Sequence, residues 1–107
     1  MELHDGETVE YKLSANLRKG IEYVGGVLTI TNERFIFVPH SFTLQRSEVS
    51  FNIRDIVDFD KSKMLGIVPN GLAVKLSNGA AHNFVVAPGE VAHRQEIVDL
   101  IHEKLSA

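Results

Sequence analysis

The stretch from residue 25 to residue 38 constrains this chain more than any other, because it contains two strands and the turn between them. If its two central residues form the loop, Leu28 faces Phe37 and Ile30 faces Phe35 across a hairpin. These four large apolar side chains then share one face. An isolated two-stranded ribbon is only marginally stable in water, so the pattern predicts a second layer packed on that face.

Alternating apolar and polar residues predict another strand before this hairpin, over residues 7–15, after a frayed lead-in over residues 1–6. Residues 16–20 are predicted to form a loop, because they hold an asparagine, two adjacent cations and a final glycine suited to a turn. The glycine pair at 25–26 is typical of a bulge or sharp bend, since a phosphate-cradling loop would be followed by a helix. The sheet is therefore expected to curl around its own core.

Strand patterns resume downstream over residues 49–54 and again over residues 57–60. In the second of these, Val57 and Phe59 are expected on one face. The Pro-Asn-Gly sequence at 69–71 is a strong turn signal, so the chain is predicted to reverse there.

The last hairpin has two alternative loops, which place Phe84 differently. A two-residue loop puts Phe84 opposite Ala73, whereas a three-residue loop over 77–79, with Gly79 in the left-handed conformation, puts it opposite Leu72 on the apolar face. Burying a phenylalanine ring stabilises a fold by about 1.5 to 3 kcal/mol, which exceeds the difference between common turn types. The three-residue loop is therefore predicted.

A helix over residues 89–105 is predicted to end the chain, because the apolar period changes after Pro88. Leu100 lies off its apolar stripe and is expected to be exposed. The strand region, about residues 7–86, predicts an α+β, mainly β fold: about seven antiparallel strands in a bent sheet or partly open barrel, with the helix packed over it. The stripe of the helix consists of Val91, Ile97, Val98, Ile101 and Leu105.

Composition excludes several classes of protein. A chain of 107 residues with 44% hydrophobic residues can form one core, so residues 1–107 are predicted to be a single domain. The absence of cysteine excludes disulfides, thiolate catalysis and cysteine-ligated zinc. A net charge of −3 and a pI of about 5.9 argue against electrostatic binding to nucleic acid or anionic lipid as the main mode, and no nucleic-acid partner is expected. Residues 1–5 are polar and no long apolar run follows, so neither a signal peptide nor a transmembrane segment is expected, and the predicted location is cytoplasmic.

The ordered set of motifs resembles a GRAM domain, and most closely the small bacterial versions. The resemblance spans roughly residues 8–86. It implies a pleckstrin-homology-like fold, in which two nearly orthogonal antiparallel sheets are capped by a C-terminal helix. The motifs that carry it are Gly26-x-Leu28-x-x-Thr31-Asn32-x-Arg34-Phe35-x-Phe37, Ile53-x-Asp55-Ile56, Gly71-Leu72-x-Val74, Asn78-Gly79 and Phe84.

No catalytic residue, cofactor site or metal site is predicted, because no nucleophile, base and orienting group stand at an interpretable spacing. His93 and His102 lie nine positions apart, far from the i, i+4 spacing of a helical metal pair. The family resemblance would place a phosphoinositide headgroup at the loop after the first strand. Four cations are therefore candidates for an anion or headgroup site: Arg18 and Lys19 in that loop, assisted by Lys12 and Arg34. The alternative for Arg18 and Lys19 is solvated loop charge, and Arg34 is expected to pin the turn of the central hairpin rather than to bind a ligand.

Two functions remain open at this point. The favoured one is a non-catalytic binding module that docks a protein or peptide at a sheet edge or in the cleft between sheet and helix. The alternative is a module that binds an anionic lipid or headgroup through Arg18 and Lys19. The back of the central hairpin is either an apolar patch for a partner or covered by neighbouring chain, and patch size favours burial. That back face consists of Val27, Thr29, Ile36 and Val38.

Overall fold

The computed structural model describes residues 2–40, 48–64, 68–86 and 91–106. It contains seven strands, a single turn of 3₁₀ helix between the fourth and fifth strands, and one C-terminal α-helix. The elements in chain order are β1 (Val9–Lys19), β2 (Glu22–Thr31), β3 (Arg34–Pro39), β4 (Val49–Asn52), the 3₁₀ turn (Ile53–Asp55), β5 (Ile56–Met64), β6 (Val68–Leu76), β7 (Ala81–Val86) and α1 (Val91–Ser106).

The strands form a continuous antiparallel sheet in the order β4-β3-β2-β1-β7-β6-β5. Its two halves join where Ala15–Leu17 of β1 pairs with Phe84–Val86 of β7. Side chains from both halves and from α1 share one buried cluster, so the sheet is rolled around its core. The predicted fold class, mainly β with about seven strands and a terminal helix, is confirmed.

The central hairpin has the predicted register. Leu28 pairs with Phe37 and Ile30 pairs with Phe35, and all four side chains are buried. The Phe35 ring packs against three other rings, among them that of Phe51 at a centroid distance of 5.2 Å. On the opposite face of the hairpin the predicted burial is also confirmed: Thr29 and Ile36 are buried, and Val27 and Val38 are half-buried.

The last hairpin uses the predicted three-residue loop. Leu72 pairs with Phe84, and the Phe84 side chain is fully buried. The φ angle of Gly79 is +91°, in the left-handed region that glycine adopts without a steric penalty. Its N–H donates to the carbonyl of Leu76 at 3.0 Å, which closes the loop.

Three predictions about the strands and turns are wrong. Residues 16–19 belong to β1 rather than to a loop, and the turn into β2 lies at Gly20, whose φ is +63°. Residues 69–71 lie inside β6 and not in a turn. Gly71 pairs with both neighbouring strands and Val68 pairs with Met64, and the β5–β6 register shifts between these two pairs. Val57 does not share a face with Phe59: the β5–β6 register shifts beside Val57, which leaves it 60% exposed while Phe59 is buried.

The glycine pair in β2 permits a close approach of backbones and creates no bulge. β2 pairs with β1 without a register shift through both glycines, and Gly26 also pairs with Pro39 of β3. The carbonyl of Gly25 accepts from the N–H of His40 at 3.0 Å. A Cβ atom built on Gly26 would lie 2.4 Å from the carbonyl oxygen of Val38 and 2.8 Å from both the Phe37 ring and the Cα of Pro39. Only a glycine fits at this position without moving its neighbours.

The helix α1 covers the core with Ile97, Val98 and Ile101, all of them buried. Leu100, expected to be exposed, packs against the same cluster, whereas Leu105 at the end of the predicted stripe is 39% exposed. The buried face is therefore rotated slightly from the predicted one. None of the helices within the described residues combines the length and hydrophobicity that crossing a bilayer requires.

Candidate functional site

The segment before β1, predicted to be frayed, is tied to the β2–β3 turn. The side chain of Asn32 accepts from the N–H of Thr8 at 2.9 Å and donates to the carbonyl of Gly6 at 3.1 Å. The backbone N–H of Asn32 also donates to the carbonyl of Thr8 at 3.0 Å. The turn residue thus holds the lead-in on both sides of Glu7.

Glu7 is the centre of this attachment, and its side chain is fully buried. Arg34 Nε donates to Glu7 Oε2 at 2.8 Å, and Arg34 Nη2 donates to Oε1 at 3.0 Å. The hydroxyl of Thr31 donates to Oε2 at 2.6 Å, and the N–H of His4 donates to Oε1 at 2.9 Å. Both carboxylate oxygens are therefore satisfied, and the two-pronged pairing with the guanidinium is the strong form of such a contact.

This environment keeps Glu7 ionised. The hydrogen bond from Arg34 lowers the pKa of Glu7 to about 2 against the opposing effect of burial, with further lowering from Thr31 and from His4. In turn, the Glu7 carboxylate raises the pKa of the Arg34 guanidinium. The pair is a permanent charge pair at neutral pH.

Lowering the pH from about 4.5 to about 2 is expected to remove the stability that Glu7 contributes. The folded-state pKa is depressed, so the contribution is complete above pH 4.5 and is lost as the pH falls towards the folded value. Glu7→Gln should therefore show a smaller loss of unfolding free energy over this range, measured by urea denaturation at a series of pH values. Glu10→Gln, at an exposed position in β1, is the control, and an equal pH dependence in the two variants would contradict the assignment.

Oxygen and nitrogen atoms of His4, Glu7 and Glu33 approach within 4.8 Å of one another, which is close enough for metal ligands. The Glu7 carboxylate is already held by a guanidinium at 2.8 Å, and that positive charge would repel a cation. The group is therefore better explained as part of the attachment of the lead-in than as a metal site.

An open groove of about 620 Å³ lies between β4 and the β6–β7 loop, and we call it the β4 groove. Its volume lies within the usual range of ligand sites. Half-buried Phe51 and His82 stack inside it, with ring centroids 5.0 Å apart and planes 6° apart. Arg34 belongs to both features, because its side chain lines the groove and also pairs with Glu7, which holds the lead-in. The residues lining the groove are His4, Arg34, Glu48, Val49, Ser50, Phe51, Asn52, Asp55, Leu76, Asn78, Ala80 and His82.

The four predicted cations do not converge on one site. Arg18 and Lys19 are adjacent at the end of β1, where Arg18 is exposed and its Nε donates to the carbonyl of Gly20 at 2.9 Å. Lys12 is exposed on the same strand and pairs with Thr29, near the end of β2 that is far from Arg18. Arg34 lies at the opposite end of β2 from Arg18, and its charge is met by Glu7. The prediction that Arg18 and Lys19 bind an anion stays a prediction.

Sequence reasoning missed Glu7 and the ring pair of Phe51 and His82. Glu7 resembles any polar residue at the start of a strand, and its partner is 27 positions away. The rings are brought together only when β4 and β7 meet across the rolled sheet. No local signal in the sequence marks either contact.

No protein-family model matches the chain, and no curated protein matches it by sequence. Solved structures do match it. The C-terminal domain of an unknown protein from Leishmania infantum aligns with a TM-score of 0.72 and 20% identity, over 96% of this chain and 88% of that one. The Vps36 N-terminal PH domain aligns with a TM-score of 0.72 and 13% identity, over 99% and 87% of the two chains.

A third match, the N-terminally truncated linker-DH/PH domains of p115-RhoGEF, has a TM-score of 0.70 and 9% identity, over 94% of this chain and 30% of that one. At these identities the likeness shows the fold alone. The protein has a pleckstrin-homology-like fold. The narrower resemblance to GRAM domains stays a prediction.

Proposed function

We propose that this protein is a non-catalytic docking module that binds an extended segment of a partner protein in the β4 groove. The observation that carries the proposal is the position of the groove beside an edge strand. β4 is the last strand of the sheet, and within the described residues only β3 pairs with it. An extended peptide can add to such an edge through main-chain hydrogen bonds, with side-chain contacts in the groove supplying specificity.

The pKa of Glu7 makes this residue unsuited to acid–base catalysis near neutral pH. A general acid or base working near neutral pH needs a pKa close to 7, and carboxyl groups reach that range by an upward shift. The pKa of Glu7 moves in the opposite direction, to about 2, because Arg34 stabilises the ionised form. The pair supports the wall of the groove through Arg34 and supplies no proton to a substrate.

The proposal can be tested by selecting short peptides from a random display library on the intact chain. Ser50 is exposed in β4 and lines the groove, so Ser50→Trp should cover the strand edge and abolish binding of the selected peptides. Ser14→Trp places the same ring on an exposed serine of β1 outside the groove, and it should bind like the wild type. Selected peptides that bind both variants equally would place docking elsewhere and overturn the proposal.

A second candidate function is contact with an anionic lipid surface through the β1–β2 turn. The observation that favours it is the exposure of Ile21 in the β1–β2 turn. The Ile21 side chain is 98% exposed, and Arg18 and half-exposed Tyr23 lie beside it. An aliphatic side chain projecting next to cations is suited to a membrane interface. Arg18→Ala combined with Ile21→Ser should abolish sedimentation with vesicles that contain phosphatidylserine, and Val57→Ser, at another exposed apolar residue, should not. Failure of the wild-type protein to sediment with such vesicles at low salt would eliminate this candidate.

A further inference from the structure

We infer that the β4 groove accepts the guanidinium of an arginine in the docked peptide. The inference rests on the proposed docking function and names the chemistry of its ligand. It is carried by two features of the residues that line the groove: a surplus of carboxylates and a stacked pair of rings.

The charges lining the groove favour a cation. Glu48 and Asp55 both line it and carry negative charge at neutral pH. Among the described residues that line it, the one with a permanent positive charge is Arg34, and its charge is already offset by Glu7 at 2.8 Å. Glu33 and Glu48 add to the negative potential at that guanidinium, because each contributes to raising the pKa of Arg34. A peptide carboxylate or phosphate would meet repulsion here, whereas a peptide cation would be attracted.

The stacked rings favour a flat cation over a compact one. Phe51 and His82 lie nearly parallel, and both are half-buried. Phe51 also stacks on Phe35 at 5.2 Å, so the ring that the stack offers to the groove is that of His82. A guanidinium is planar and weakly hydrated, it stacks on aromatic faces, and it can pair with a carboxylate through two N–H groups at once. An ammonium group offers the charge without the stacking surface or the two-pronged geometry. The combination of rings and carboxylates therefore selects arginine.

The test uses the intact ¹⁵N-labelled chain and three capped pentapeptides that differ only at the central position: Ac-Ser-Val-Arg-Val-Ser-NH₂ and the same sequence with citrulline or lysine in place of arginine. Citrulline keeps the shape of arginine and removes the charge. Amide chemical-shift changes report both the affinity and the position of binding. The arginine peptide is expected to shift the signals of Ser50, Phe51 and His82, and to bind about tenfold more tightly than the citrulline peptide.

Charge-neutralising variants examine the protein side of the contact. Glu48→Gln combined with Asp55→Asn should weaken binding of the arginine peptide about fivefold. The matched control is Asp58→Asn combined with Glu103→Gln, which removes the same number of charges from exposed positions outside the groove and should leave the affinity unchanged. The difference between the two double variants should shrink at high salt, because screening weakens the attraction.

The outcomes separate this inference from the proposed function. If all three peptides shift the groove signals with equal affinity, docking in the groove stands and the preference for arginine is overturned. If the groove signals move but the two double variants bind alike, Glu48 and Asp55 do not select the ligand, and the inference also fails. If none of the peptides moves the groove signals and peptides selected from the display library ignore Ser50→Trp, the proposed function fails together with the inference.

Discussion

Replacing Arg34 with methionine is expected to lower the free energy of unfolding by about 3 kcal/mol, because it leaves the buried carboxylate of Glu7 without its counterion. Methionine keeps much of the length and packing of the arginine stem, so the loss is chiefly electrostatic. Thr31 and His4 would still donate to the carboxylate, which keeps the cost at the lower end for a broken buried ion pair. Chemical denaturation at neutral pH measures the difference.

Two further variants decide whether the ion pair causes the loss. Arg18→Met removes an exposed arginine from the same sheet and should cost less than about 1 kcal/mol. Adding Glu7→Gln to Arg34→Met removes the unpaired charge, and it should restore at least about half of the lost stability. The amide oxygen can accept from the N–H of His4 while the amide N–H₂ donates to the hydroxyl of Thr31. If Arg34→Met is no less stable than Arg18→Met, the pair does not hold the lead-in as described.

Replacing Gly26 with alanine is expected to destabilise the fold by about 3 kcal/mol. The new methyl group would overlap the carbonyl oxygen of Val38 and the Cα of Pro39, which are main-chain atoms that cannot move without disturbing the β2–β3 ladder. It would also meet the ring of Phe37, which is fixed by the core. Overpacking a rigid site typically costs about 1 to 3 kcal/mol, and contact with backbone places this substitution at the upper end.

The neighbouring glycine supplies the control for this prediction. A Cβ on Gly25 would lie 3.2 Å from Oδ1 of Asn16 and 3.6 Å from Cδ2 of His40, which are side-chain atoms that can shift. Gly25→Ala should therefore change the unfolding free energy by less than about 1 kcal/mol, because alanine also restricts the unfolded chain. Equal losses for the two substitutions would contradict the account of Gly26 as a site of close backbone approach.

The features that could be predicted from the sequence are those in which large apolar side chains leave one consistent arrangement. The pairs Leu28 with Phe37 and Ile30 with Phe35 determine the phase of the central hairpin, and burial of Phe84 selects the three-residue loop before β7. In each case one register buries every ring and the alternative exposes at least one. The terminal helix follows from the same logic, although Leu100 shows that its buried face was predicted only approximately.

The features that could not be predicted depend on partners distant in sequence. Residues 16–19 and 69–71 have the composition of loops, yet both segments lie in strands. β2 pairs with all of residues 16–19, and Gly71 pairs with strands on both sides. Val57 looks like a core residue until the register shift in β5 turns it outward. The candidate site is the extreme case, since Glu7 and Arg34 come together only when the lead-in crosses the β2–β3 turn.

Arg34 lines the β4 groove, and it also binds the segment before β1 through the Glu7 carboxylate and the carbonyl of Glu2. It therefore connects the groove with the amino-terminal segment. An occupant of the groove that contacts the Arg34 side chain would change the stability of this attachment, and the attachment would change the affinity for the occupant. By thermodynamic reciprocity each event changes the other by the same factor. Capture of a peptide and ordering of the amino-terminal segment then become two readouts of one equilibrium.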